Sequence, residues 1–229
     1  MAGKKYIAAK KLVDPKKVYS VAEAVDLAKK TSTTKFDSSI DIAIKLNVDT
    51  TKAEQQLRGT MTLPHYFGKV SRILVIDDSI TFEQAKMAGA DFFGGDEKIA
   101  EVKDGWLDFD VLITTPKFMP KISKLGKVLG PKGLMPNPKL GTVTTDVLKT
   151  IKEFKGGKST YRTDTYGNVH MIVGKASAAN EKIIENIDAL ISFIKTKRPS
   201  TVKGEYIKSI YISSSMGPSI KVAFEKESL

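Results

Sequence analysis

Residues 35–39 place a lysine, a phenylalanine and a serine close together, a combination that suits contact with nucleic acid. The ring of Phe36 could stack on a base or a ribose while the ammonium group of Lys35 meets a phosphate. The alternative is that Phe36 is a core residue at the start of a strand. The segment alone leaves both interpretations open.

Residues 213–219 consist of serines, a methionine, a glycine and a proline. Serine hydroxyl groups, together with a glycine that allows close backbone approach, suit contacts with ribose and phosphate. The same composition is also typical of an ordinary hairpin turn. Both interpretations are open for this segment as well.

Residues 126–141 contain four glycines, three prolines and three lysines, which are Lys127, Lys132 and Lys139. Glycine and proline give a segment a defined but irregular backbone path. The lysines would project positive charge from it. The segment is therefore either a binding loop or a rigid connection to the next helix.

Motifs of nucleotide-binding and hydrolytic enzymes are missing from the sequence. The dinucleotide fingerprint needs two glycines that are two positions apart, and the chain has no such pair. A catalytic serine elbow needs Gly-x-Ser-x-Gly, but the pair at that spacing, Gly126 and Gly130, encloses Val128. Residues 156–159 resemble the end of a phosphate-binding loop, yet Lys152 stands where its first glycine belongs. We interpret residues 156–159 as a joint between domains.

Metal and thiol chemistry also lack the residues they need. The chain has no cysteine and only two histidines, His65 and His170, which are far apart in sequence. This excludes disulfides, thiol catalysis and the usual structural zinc sites. Asp77 and Asp78 follow an aliphatic run, where an acidic turn that ends a strand is the preferred interpretation. We therefore predict no catalytic residue, no metal and no cofactor.

The positive charge of the chain is carried almost entirely by lysine. The 229 residues have a formal net charge of +11, and only four of the 37 basic residues are arginines. Lysine suits a phosphate backbone, whereas arginine is the residue that reads guanine edges. Residues 67–112 contain five basic and ten acidic residues, while residues 113–159 contain ten basic and two acidic ones. A partner that offers phosphates is indicated, and an alternative as a DNA-binding regulator is disfavoured.

Hydrophobic periodicity predicts two styles of secondary structure along the chain. Both ends combine alternating strands with one amphipathic helix each, whereas the middle alternates short aliphatic strands with helices. The predicted helices cover 19–31, the residues after Thr81, the region around Lys98, 117–129, 145–154 and 180–197. The predicted strands cover 40–46, 57–63, 72–76, 90–93, 111–115, 206–213 and 219–224, with a hairpin that joins 159–162 to 169–173.

Neither end of the chain has enough elements for an independent core. We therefore predict a two-domain α+β protein. A discontinuous α+β domain would comprise residues 1–67 and 159–229, and residues 68–158 would form an inserted three-layer, Rossmann-like α/β domain with a parallel sheet. The longest unbroken aliphatic run is Ile73–Ile76, so no membrane span is expected, and residues 1–12 do not form a secretory signal.

Several of these segments occur together in one known family. In order along the chain, from about Val13 to Phe224, they resemble the large-subunit ribosomal protein one family, whose members belong to the mobile exit-side stalk of the ribosome. The length and the lysine-rich character resemble the bacterial members. The blocks that carry the resemblance are residues 35–37, 58–60, 63–65, 89–91, 94–95, 104–110, 126–141 and 215–219.

The resemblance implies which residues contact RNA. It assigns this role to Lys35, Phe36, Ser39, Lys45, Ser209, Ser215, Met216 and Gly217. Members commonly have threonine where this sequence has Ser39 and Ser215, so the hydroxyl group is kept and a methyl contact is lost. Weaker candidates are His170 and Lys175, together with Lys127, Lys132 and Lys139 of the 126–141 segment.

The resemblance also implies a function. We expect a constituent of the large ribosomal subunit that binds a folded region of large-subunit rRNA, assists release of exit-site tRNA and represses translation of its own operon mRNA. The expected location is the cytoplasmic ribosome, and the expected state away from the ribosome is a monomer with no membrane partner. The alternative is a phosphosugar- or nucleotide-binding enzyme that uses the inserted domain.

Overall fold

The computed structural model describes residues 3–52, 54–68 and 71–224, and these form two units. The first unit comprises Met1–Arg58, Leu63–Phe67 and Tyr161–Leu229, and the second comprises Gly59–Thr62 and Gly68–Thr160. The chain thus leaves the first unit and returns to it. The predicted fold class is confirmed, whereas the predicted domain limits at 67/68 and 158/159 stay a prediction.

Helices and strands follow one another along the chain in a mixed order. The helices are α1 Lys4–Lys11, α2 Val21–Lys30, α3 Phe82–Ala88, α4 Asp96–Lys103, α5 Met119–Ser123, α6 Gly126–Leu129, α7 Val147–Lys155 and α8 Asn180–Thr196, with a 3₁₀ turn at Pro138–Leu140. The strands are β1 Ser39–Leu46, β2 Arg58–Thr62, β3 Ile73–Ile76, β4 Phe92–Gly94, β5 Val111–Thr114, β6 Lys158–Arg162, β7 Asn168–Lys175, β8 Ile207–Ser214 and β9 Ile220–Val222.

The first unit is built on an antiparallel sheet with the strand order β7-β1-β8-β9. Strand β1 alternates as the sequence predicts: its even-numbered residues are buried and its odd-numbered ones are half-buried. Helices α2 and α8 contact each other and pack on the sheet. Ser20 starts α2 with a complete capping box to Glu23, which fixes where this helix begins. One side of the sheet is therefore covered by helices.

The second unit has three layers around the parallel sheet β4-β3-β5. All four residues of β3 are buried, since they are covered on both sides. Leu74 and Ile76 pack with residues of α4, α5 and α6. Ile73 and Val75 pack with residues of α7. This is the three-layer arrangement that the alternating pattern predicts.

The predicted single helix over 117–129 is wrong. The structure has the two short helices α5 and α6, separated by Lys124 and Leu125. At this break the amide of Leu125 donates to the carbonyl of Ile122 at 2.9 Å, a tighter turn than the α-helical one. Gly126 follows directly and lowers helix stability. Leu125 and Leu129 still reach the core, which is why the apolar spacing mimicked one helix.

The predicted hairpin of 159–162 with 169–173 is also wrong. Strand β6 pairs with β2 in a separate two-stranded sheet, and β7 pairs with β1. Among the described residues, the two segments meet only beyond the end of β6, where Thr163 forms a bridge with Val169 and the Asp164 amide donates to the Asn168 carbonyl at 2.9 Å. The carboxylate of Asp164 accepts hydrogen bonds from the amides of Tyr166 and Asn168, at 2.9 and 2.7 Å, and closes its own turn there. Sequence spacing alone did not reveal that other strands compete for both partners.

Helix α1 has no counterpart among the predicted elements. Its apolar residues do not form a stripe at helical spacing, and Ala9 is its only buried residue. No helix in the described part of the chain is both long and apolar enough to cross a membrane.

Candidate nucleic-acid interface

The sheet of the first unit has one side that helices do not cover, which we call the open face. Because side chains alternate along a strand, Ser39, Asp41, Ala43 and Lys45 of β1 lie on this side. Their partners on the neighbouring strands share it. These are Lys175, Ile172, His170 and Asn168 on β7, and Ser213, Tyr211 and Ser209 on β8.

Two segments that are distant in sequence meet at one end of the open face. The amide of Ser39 donates to the Ser215 hydroxyl at 3.2 Å, and the amide of Ser215 donates to the Ser39 carbonyl at 3.0 Å. The ammonium group of Lys175 donates to the Ser39 hydroxyl at 2.9 Å. Each serine hydroxyl accepts a bond here and keeps its own hydrogen for a partner. The pair can therefore donate to oxygen atoms of a ligand.

Phe36 is displayed beside this junction, in the loop that leads into β1. Its side chain is 63% exposed, so the interpretation as a core residue is wrong. The loop is ordered around it: Asp37 accepts bonds from the amide and the hydroxyl of Ser177, at 3.0 and 2.8 Å. Thr34 donates to the Phe36 carbonyl at 3.0 Å. An exposed ring on a fixed loop, with Lys35 exposed next to it, is suited to stacking.

The turn after β8 holds its residues in an unusual way. Met216 has φ 61°, a left-handed backbone conformation that residues other than glycine normally avoid. Its side chain is 77% exposed. Gly217 is required for another reason: a Cβ there would lie 2.3 Å from the hydroxyl oxygen of Ser214. That buried hydroxyl has no hydrogen-bond partner among the described residues. Strain of this kind concentrates at functional sites.

Lys45 and Ser209 face each other across β1 and β8 toward the other end of the open face. Lys45 donates to the Tyr166 carbonyl, in the turn that Asp164 closes. Burial raises the pKa of Asp164, but hydrogen bonds from Asn168 and Tyr166 outweigh it and lower this pKa to about 2. His170 lies 3.3 Å from the same carboxylate. The lysine and the imidazole are thus held in place by one turn.

The structure brings together the eight principal residues that the resemblance implies, along with two of the weaker ones, His170 and Lys175. The other three, Lys127, Lys132 and Lys139, belong to the second unit. There, residues 126–141 form an ordered segment. The Asn137 side chain accepts from the Lys139 amide at 2.8 Å, and the Asn137 amide donates to the Thr142 hydroxyl at 2.7 Å.

Sequence reasoning singled out neither Asp41 nor Tyr211 of the open face, and it included Ser213 only within the segment 213–219. The signal that could have found them is parity. Asp41 is two residues from Ser39, and the other two continue the alternation of Ser209 on the neighbouring strand. The alternation of residues predicts the strands, and the same alternation shows which polar side chains share the exposed side of the sheet.

The positions considered for enzymatic or metal sites have local partners. Asp77 accepts from the Asp78 amide at 2.9 Å and from the Thr115 hydroxyl at 3.2 Å. Asp78 pairs with Lys117, and Lys158 pairs with Glu153 at 2.6 Å. In the described ranges, no three His, Cys, Asp or Glu side chains are grouped as metal ligands would be.

Comparison with known proteins shows the family to which the chain belongs. A model of the ribosomal protein L1p/L10e family matches residues 28–218. The chain is 61% identical over 209 residues to the large ribosomal subunit protein uL1 of Mycoplasmoides gallisepticum, covering 91% of this chain and 92% of that protein. It is 56% identical to the proteins of the same name from Mycoplasma genitalium and Ureaplasma urealyticum, in each case covering 96% of both chains.

Proposed function

Because the chain belongs to the ribosomal protein L1p/L10e family, we propose that it is a constituent of the large ribosomal subunit that binds large-subunit rRNA through the open face of its first unit. The resemblance found in the sequence is confirmed. The protein is a ribosomal component and not an enzyme, since its relatives are named as ribosomal proteins. Its place of action is therefore the ribosome, in the cytoplasm.

The observation that supports this proposal best is the meeting of two distant segments on one exposed surface. Residues 35–45 and 209–217 supply a stacking ring, hydroxyl groups, lysines and a strained turn to the same side of one sheet. Folded RNA is recognised by shape, ribose and stacking more than by groove edges. A surface with so few arginines fits that mode.

The experiment that tests the proposal compares RNA and DNA at matched salt. We expect the full chain to bind fragments of large-subunit rRNA that contain a stem and a bulge, and to prefer them to duplex DNA of equal length. Affinity should fall linearly with salt on a log–log plot, with a slope set by the number of neutralised phosphates. Equal affinity for both nucleic acids would contradict the proposal.

The second unit supports a finer proposal about exit-site tRNA. Lys124, Lys127, Lys132 and Lys139 make no ion pair with any carboxylate that the structure describes, while Lys117 and Lys121 are paired with aspartates. Unpaired lysines on an ordered segment suit the phosphates of a partner that binds and leaves. We infer that this surface meets exit-site tRNA and assists its release. Replacing these four lysines by glutamine should slow tRNA release from ribosomes without weakening rRNA binding.

Two further functional proposals concern the protein's own mRNA, which would use the open face, and its oligomeric state. A folded element in the protein's own operon mRNA that imitates the rRNA site would compete for the same surface, so binding it would repress translation. We also propose that the protein is a monomer when free of the ribosome. Competition between the two RNAs for the wild-type protein, and light scattering of the free protein, test these proposals.

Met216 gives a prediction in which stability and affinity move in opposite directions. Replacing it by glycine should relieve the left-handed strain and raise the free energy of unfolding by about 1 kcal/mol. Loss of the exposed side chain should weaken rRNA binding by about 10-fold. Met216→Ala is the matched control, because it removes the side chain but keeps the strain. An unchanged melting temperature in Met216→Gly, measured beside Met216→Ala, would contradict the assigned strain.

A further inference from the structure

The open face carries one negative charge at its centre, the carboxylate of Asp41. Its neighbours across the strands are Ser213 and Ile172. Its neighbours on the same side of β1 are Ser39 and Ala43, and the lysines of this region bond to other acceptors. Asp41 therefore lies where a bound RNA would cover it.

This carboxylate lacks the partners that a half-buried charge normally has. Among the residues that the structure describes, none donates a hydrogen bond to Asp41 and none forms an ion pair with it. Burial raises its pKa above the ordinary value, and attraction from Lys175 and His170 offsets this only in part. A half-buried acceptor without donors is unfavourable in the free protein. A ligand that supplies donors would remove that cost.

RNA offers Asp41 either repulsion or hydrogen bonds, depending on which groups it presents. Phosphate oxygens are negatively charged acceptors and would be repelled. Ribose 2′-hydroxyl groups and the amino and imino groups of bases are donors that a carboxylate accepts well. A phosphate group beside Asp41 would therefore weaken binding, whereas a correctly placed O–H or N–H donor would strengthen it. Such a contrast is how a site gains specificity.

We propose that Asp41 is a specificity-determining residue, whose carboxylate accepts hydrogen bonds from O–H or N–H groups of the bound RNA and discriminates against RNA that presents only phosphates there. This rests on the proposed binding of rRNA by the open face. The neighbouring serine hydroxyls, which can donate, would meet acceptor atoms of the same RNA. The lysines attract RNA through its phosphates, whereas Asp41 favours RNA that presents a hydrogen-bond donor to it.

The test uses the full chain with Asp41→Asn, which keeps the size of the side chain and removes its charge. Dissociation constants are measured for a large-subunit rRNA fragment and for an unrelated folded RNA of equal length, at one salt concentration. We expect the affinity for the rRNA fragment to fall by about 10-fold, while the affinity for the unrelated RNA stays equal or rises. The ratio of the two affinities should thus fall by at least about 10-fold.

Asp188→Asn is the matched control, because it removes the same charge from α8, on the helix side of the sheet. We expect it to leave the ratio of affinities unchanged. If Asp41→Asn raises both affinities by the same factor, Asp41 only repels phosphates and the proposal is overturned. If the wild-type protein itself shows no preference for the rRNA fragment, the proposed function fails, and this proposal fails with it.

Modified rRNA fragments distinguish the two sources of donors. Single 2′-deoxy substitutions remove one ribose hydroxyl each, and inosine in place of guanosine removes one amino group. At the position that Asp41 contacts, the modification should weaken the wild-type protein but add nothing to the loss in Asp41→Asn. Additive losses at every modified position would overturn the proposal.

Discussion

Gly217→Ala is expected to weaken binding to large-subunit rRNA by about 100-fold, a larger loss than any single lysine replacement should cause. The added Cβ would lie 2.3 Å from the Ser214 hydroxyl oxygen and 3.2 Å from its carbonyl oxygen. The buried side chain of Ser214 or the turn itself must therefore shift, and the turn carries both Met216 and the junction of Ser215 with Ser39. Titration of a labelled rRNA fragment, well below the melting temperature, measures the effect.

Ser214→Ala provides a rescue that tests this explanation. The Ser214 hydroxyl has no hydrogen-bond partner among the described residues, so its removal alone should cost little. In the double variant Gly217→Ala with Ser214→Ala the closest clash is gone, and most of the affinity should return. Lys124→Gln serves as the control for loss of charge in the second unit, and we expect less than about a threefold effect on rRNA binding. Affinity of Gly217→Ala within threefold of the wild type would contradict the prediction.

The sequence predicts the sheet of the first unit well because its strands are half-buried. Ile40, Ile42 and Ile44 are buried and alternate with half-buried residues, a pattern typical of a strand with one covered side. The resemblance to a family then predicts which of the residues on the exposed side of this sheet contact RNA. Their meeting on one face follows from the antiparallel register of β1 with β8.

The parts that sequence reasoning missed depend on competition between distant segments. Residues 159–162 and 169–173 have strand patterns and a turn between them, so local rules favour a hairpin. The structure instead pairs β6 with β2 and β7 with β1. Local sequence patterns do not determine which of several strands each segment pairs with. The same limit hid the left-handed conformation of Met216, since a methionine gives no signal for it.

Charge and recognition are divided between different residues of this protein. Lysines spread over both units give attraction that depends on salt. Phe36, Met216 and Gly217 carry no charge, and they define the shape of the open face. In the proposed complex, Asp41 adds a negative charge to the surface that the RNA covers. A net charge of +11 thus accounts for the class of partner but not for which RNA is chosen.

Asn186→Ala should have the largest effect on stability, lowering the free energy of unfolding by about 3 kcal/mol. Asn186 is fully buried in α8. Its amide group donates to the carbonyls of His65 and Val173, at 2.7 and 2.9 Å, and its oxygen accepts from the His65 amide at 2.9 Å. The alanine variant leaves these three backbone groups without their partner in the interior. Urea denaturation followed by circular dichroism measures the change.

The control for this variant is Asn180→Ala, which truncates the same side chain at the start of the same helix. We expect it to change stability by less than about 0.5 kcal/mol. Asn186 lies under the sheet and is not part of the open face, so the folded Asn186→Ala protein should bind rRNA within threefold of the wild type. Gly217→Ala should do the opposite, with affinity lost and most of the stability kept. If Asn186→Ala loses affinity in proportion to its stability, the open face depends on the tether between α8 and β7, and the separation of fold from recognition is wrong.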